Sequence, residues 1–162
     1  MFGREPEPFG DAERDLEVFR AIVQSEICRA YDTYAVVSDR PAQLTHLRIT
    51  ERWLPSSNVR DKALKRAEQA RPWSHAEICT GAHVVADSKV EEIFEREKTK
   101  PPSWRGFYAA FPGAAALITV SAPVFTLDGN AAIVYVDKRC DISCGAGINL
   151  QLKKSKEGSG PP

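Results

Sequence analysis

The chain has 162 residues, the size of one domain, and its 43% apolar and 27% charged residues are ordinary globular values. Lysine plus arginine (22) equals aspartate plus glutamate (22), so no global field draws the chain to nucleic acid or to an anionic membrane. The longest largely apolar run, Ala114–Val120, falls far short of the ~20 residues a spanning helix needs, so no transmembrane segment is expected.

The opening stretch, MFGREPEPFGDAERD, has no apolar h-region. The expectation is a cytoplasmic protein by default, or an exported one if an upstream segment was removed. Residues 1–10 hold Pro6 and Pro8 and read as a flexible arm. Asp11 is a candidate N-cap. From there Leu16, Phe19, Ile22, Val23, Ile27 and Ala30 recur at three- and four-residue steps, the stripe of an amphipathic helix over Asp11–Ala30. Phe19 sits mid-stripe and should be almost fully buried.

Thr33–Ser38 is β-branched and aromatic and reads as a strand closed by Asp39-Arg40-Pro41. Leu44–Trp53 fits neither period. A helix is expected through Val59, Ala63, Leu64 and Ala67, stopped by Pro72, with a basic solvated face. Part of Ala76–Ala86 reads as a strand. Ser88 followed by Glu91 forms a capping box for a short helix reaching about Glu97.

The stretch from Trp104 to Lys153 carries the sheet. Ala116–Phe125 reads as one strand, 127–130 as a tight turn around Asp128-Gly129, and Ala131–Val136 as a central partner strand with apolar residues on both faces. Residues 137–147 form a cysteine loop, and Ile148–Leu152 a last strand with one wet face. The sum is an α+β domain spanning 11–153. It is an antiparallel meander with helices on one side, the N-terminal amphipathic helix being the main cover. Lys153–Pro162 reads as a disordered tail from 154 onwards.

Cys140 and Cys144 are the sharpest local feature. Their three-residue spacing is not the two-residue spacing of thioredoxin-like redox sites. A local disulfide, two free thiols, or metal and catalytic roles all remain open, with a bridge requiring Cα atoms near ~5.5 Å. Structural zinc would need four ligands, and His46, His75 and His83 lie at no ligand-like spacing from any cysteine, so no metal is expected. Cys28 lies beside the helix stripe and reads as a small core residue, as does Cys79. Gly145 and Gly147 are read as turn glycines with positive φ. Trp104, Phe107, Tyr108 and Phe111 cluster at helical spacing, either lidding the sheet or walling a ligand pocket.

Trp104, Phe107-Tyr108, Pro112, Ser121, Phe125, Ala132–Val136, Cys140, Cys144-Gly145, Gly147 and Ile148–Leu152 together form a pattern. It resembles a family of small uncharacterised bacterial proteins with an Ala-x-Val-Tyr-Val strand followed by Cys-x-x-x-Cys-Gly-x-Gly. The resemblance implies no activity, and many members look exported or lipid-anchored. The chain departs from the family at Pro123-Val124, where a glycine is common, and after Lys153, where a Trp-containing strand is usual.

The residues favour a non-catalytic binding or interaction domain, with Trp104, Phe107, Tyr108 and Phe111 as ligand-binding candidates and no cofactor. The partner could be a small molecule, a peptide or a protein. The alternative is a thiol-dependent enzyme or redox protein using Cys140 and Cys144, which would need a neighbouring base such as His75 or His83.

Overall fold

A computed structural model of the chain describes residues 12–42, 61, 65–66, 71–73, 77–97, 104–125, 129–141 and 144–153. The expected Asp11 cap, the arm, the tail, the segment 44–53, most of the helix expected after residue 58, and His46 and His75 lie outside these residues.

Helix α1, Ala12–Ile22, continues through a widened turn, Val23–Ile27, in which the Cys28 N–H reaches back five residues to the Val23 carbonyl at 2.9 Å. Most of the stripe read from the sequence is buried, but the helix expected to reach Ala30 ends at Ile27, Leu16 is half-buried and Ala30 is exposed in the turn that follows. Phe19, Ile22, Val23 and Ile27 are all 0% exposed.

Among the described residues six strands make one sheet: β1 (Tyr34–Ser38), β2 (Ala82–Val85), β3 (Ala114–Val120), β4 (Val124–Phe125), β5 (Ala131–Arg139) and β6 (Ala146–Lys153). β3 and β4 lie along the same side of β5, β3 opposite Val136–Arg139 and β4 opposite Ala132–Ile133. β6 takes the other side of β5 along its whole length. The order across the sheet is therefore β2, β1, β3 with β4, β5, β6.

The expected antiparallel sheet holds for the C-terminal meander but not for the whole sheet. β3 to β6 pair antiparallel, but β1 runs parallel to both β2 and β3. The cause is connectivity. Parallel neighbours need a long crossover, and long connections do separate β1 from β2 and β2 from β3. The single strand expected over Ala116–Phe125 is also broken, at Ser121–Pro123. There the Ser121 N–H donates to the Tyr135 carbonyl at 2.8 Å, and the Ser121 hydroxyl accepts the Tyr135 N–H at 2.8 Å. A side-chain oxygen stands in for the ladder acceptor where the strand is interrupted.

Helices cover both faces, not one. Helix α2 spans Asp87–Glu97 and helix α3 spans Arg105–Ala110. On one face α1 packs on Ala35, Val37, Ala116, Ile118, Val120, Val134 and Val136. On the other, Val90 of α2 and Phe107 of α3, with Phe111, pack on Val36, Ala114 and Leu117. A bulge assists the second core. Tyr34 pairs with Ala114 but Val36 with Leu117, so β3 carries one extra residue and turns both Ala114 and Leu117 to that face. The result is a three-layer α/β domain.

Cys28 and Cys79, expected as separate core residues, are bonded to each other with Cα atoms 6.0 Å apart. The bridge ties the end of the α1 region to the lead-in of β2. Gly81 fits beside it because an added Cβ would strike the Cys28 backbone carbonyl. Among the described residues no helix is long and apolar enough to cross a membrane.

Candidate functional site

Helix α3 is one aromatic turn. Phe107 is 0% exposed and Phe111 is buried, and their rings lie 5.2 Å apart against the sheet. Trp104 meets Phe107 edge-on at 5.2 Å and Phe94 of α2 edge-on at 5.1 Å. These T-shaped contacts are the favoured geometry for rings carrying opposed edge and face charge. Two of the four sequence candidates are thus core residues. Trp104 and Tyr108 are half-buried, and they are the part of the cluster that can meet a ligand.

The cysteine loop is tighter than the sequence suggested. β5 continues through Asp137, Lys138 and Arg139, and β6 starts at Ala146, so the loop is 140–145. The polar triplet looked like a loop start. It is strand because Asp137 is buried and accepts from Arg139 Nε at 2.9 Å, while its backbone pairs with Thr119 and Gly147. Cys140 and Cys144 are disulfide-bonded, with Cα atoms 5.4 Å apart. Inside the loop the Cys144 N–H donates to the Asp141 carbonyl at 3.2 Å.

Neither loop glycine has positive φ. That conformation belongs to Gly113 and Gly129. Gly145 stands in open space, whereas Gly147 is covered by the Tyr135 ring, into which a Cβ would collide. The constraint at Gly147 is thus a close approach of the far end of the Tyr135 side chain and not a turn.

The loop and the aromatic helix meet. The Asp141 N–H donates to the Tyr108 hydroxyl at 3.2 Å. Cys140 leans on the α1-side core, while Cys144 is exposed. One surface thus carries the Tyr108 ring, the Trp104 edge, the bridged loop and the exposed Gly145.

All four cysteines are in disulfides, so thiol chemistry at Cys140 or Cys144 would first need that bridge reduced. His83 sits on β2, stacked on Tyr34 with ring centroids 4.2 Å apart, and β1 and β3 stand between it and β5. Among the described residues no group of three or more His, Cys, Asp or Glu side chains is placed to hold a metal.

A second polar cluster was not read from the sequence. It lies past the carboxyl ends of β1 and β2. The Ser38 hydroxyl donates to Asp87 Oδ1 at 2.7 Å, the Asp87 N–H donates to Asp39 Oδ1 at 2.9 Å, and Arg40 reaches Glu91 at 3.3 Å. The β1–β2 connection sends Trp73 to the α1 face, while α2 leaves β2 for the other. Here the polar groups bind one another, and the cluster acts as a clasp between β1 and α2. Ser-Asp-Arg after an apolar strand was the visible signal, but its partner Asp87 is 48 residues away from Asp39.

No family model, no curated protein and no solved structure matches the chain.

Proposed function

We propose that this protein is a non-catalytic binding domain working in an oxidising compartment, with Trp104, Tyr108 and the Cys140–Cys144 loop as its contact surface. The observation that carries this reading is the Asp141 N–H bond to the Tyr108 hydroxyl, which fuses aromatic helix and bridged loop into one preshaped rim. Two disulfides in a chain of this size favour export, since reducing compartments keep thiols free. Likeness to the small bacterial family named above belongs to the same reading. An aromatic wall beside exposed loop backbone suits a short peptide segment, with rings supplying area and loop N–H and carbonyl groups supplying direction.

The test is selection of a random displayed peptide library on the oxidised chain, followed by binding measurements on variants. Tyr108→Ala and Trp104→Ala should each weaken a selected peptide by tenfold or more, about 1.4 kcal/mol. Cys144→Ser opens the bridge and loosens the rim, so it should weaken the interaction without abolishing it. Loss of all function in Cys144→Ser, together with dithiol turnover by the wild type, would favour the thiol-redox alternative instead.

A further inference from the structure

Among the described residues, β6 has one edge paired with β5 and nothing on the other. The hydrogen bonding of its neighbour fixes which backbone groups face outward. Tyr135 turns both its N–H and its carbonyl to Ser121, on the β3–β4 side. Direction alternates along a strand, so Val134 and Val136 turn theirs to β6, where they pair with Leu150 and Ile148. Ala146, Ile148, Leu150 and Leu152 therefore bond inward. Gly147, Asn149, Gln151 and Lys153 present their backbone N–H and carbonyl groups outward.

Exposed edges are usually blunted by shortness, proline, a bulge or an inward charge. The opposite edge, β2, is only four residues long. β6 has eight residues, no proline, an unbroken register with β5, and a single charge at its last position. Leu150 and Leu152 are only partly buried where they extend the α1-side core.

The edge is also self-complementary. An antiparallel two-fold centred on Leu150 sets Leu150 against Leu150 of the second copy, and Ile148 against Leu152. It brings Gly147 opposite Lys153 and Asn149 opposite Gln151, and all four of these residues are outward-bonding. Apolar positions meet apolar ones, and the lysines face glycine, not each other. A centre on Asn149 gives an overlap of the same length, with Ala146 against Leu152 and Ile148 against Leu150, and centres further out shorten it. With zero net charge, two copies approach without global repulsion.

We propose that β6 is a homotypic edge through which two copies of this chain join antiparallel into one continuous sheet. An interface made by one strand falls short of the ~1,600 Å² of a standard interface, so association depends on concentration over the micromolar to millimolar range.

The test is light scattering and residue-resolved amide exchange on the full chain across that range. The expected result is a mass that doubles with concentration. Amides of Gly147, Asn149, Gln151 and Lys153 should gain protection in step, while those of Ile148, Leu150 and Leu152 stay protected throughout. Gln151→Pro removes an outward donor and no β5 bond, and should shift the midpoint at least about tenfold upward. Should that variant lose its far-UV signal, Gln151→Lys serves, and the same shift is expected. A monomer at about 1 mM would overturn the proposal. So would outward amides protected independently of concentration, meaning that the chain's own segments cover the edge, or a midpoint that neither variant moves.

Discussion

The Asp39 carboxylate accepts the Asp87 backbone N–H at 2.9 Å, so the first turn of α2 is capped from the end of β1. A helix starts with N–H groups that have no partner inside the helix, and a carboxylate there satisfies both the donor and the dipole. The capping box expected from Ser88 and Glu91 is not what holds this end. The helix begins at Asp87, Ser88 is exposed, and Glu91 faces Arg40. Asp39→Ala should cost about 1–2 kcal/mol, whereas Ser88→Ala should stay within about 0.5 kcal/mol. Urea melts of the two variants separate the cases, and equal losses would return the cap to Ser88.

Phe19 is 0% exposed and stacks on Trp73 with ring centroids 4.5 Å apart. The Trp73 indole N–H in turn donates to the Val120 carbonyl at 3.3 Å, tying the β1–β2 connection to the sheet. Phe19→Ala removes transfer energy and leaves a cavity, for about 3–5 kcal/mol. A denaturant melt showing less than about 1 kcal/mol would mean that α1 does not pack as described.

The helix stripe, the strands of the C-terminal stretch and the aromatic cluster were legible because each is a local pattern. Strand direction was not. Alternation is the same for parallel and antiparallel strands. The one available sign was that Ala35, Val36 and Val37 are apolar without alternation, as suits a strand buried on both faces. The Cys28–Cys79 bridge spans 51 residues and the Asp39–Asp87 cap 48, and no spacing rule reaches that far. Asp137 misled for the opposite reason. A buried carboxylate held by Arg139 looks in sequence like any loop aspartate. On the candidate surface, Tyr108 and the cysteines were visible, but their joining through Asp141 was not.

The two disulfides should differ in their effect. Closing a loop of 51 residues restricts the unfolded chain far more than closing one of 4. The chain-entropy relation gives about 4 kcal/mol for Cys28–Cys79 and about 2 kcal/mol for Cys140–Cys144. Replacing each pair by serines and comparing thermal melts checks the order, and a larger loss from the small loop would contradict it.

Buried Arg66 pairs with Asp15 of α1 and donates from Nε to the Pro123 carbonyl at 3.1 Å. It therefore fastens α1 to the break between β3 and β4. Removing one partner leaves the other charge buried, so Arg66→Ala should cost about 3 kcal/mol. Chemical denaturation reads this directly, and a loss typical of surface pairs, below about 1 kcal/mol, would place Arg66 in solvent.

Burial pushes the Tyr31 hydroxyl above its usual 10.0. Because the folded value is raised, the neutral phenol's contribution is complete below pH 10 and is lost as pH rises through the folded value. Ultraviolet titration should show a late-ionising phase that Tyr31→Phe removes.

The most direct measurement of the contact surface is a ¹H–¹⁵N titration of the oxidised protein with a library of small aromatic and dipeptide fragments. Saturable shifts should converge on the Trp104 indole and on the amides of Tyr108, Asp141 and Cys144, and Tyr108→Ala should abolish them. Saturable shifts confined to the Ser38–Asp87 end, or shifts at the rim unchanged by Tyr108→Ala, would contradict the assignment of this surface.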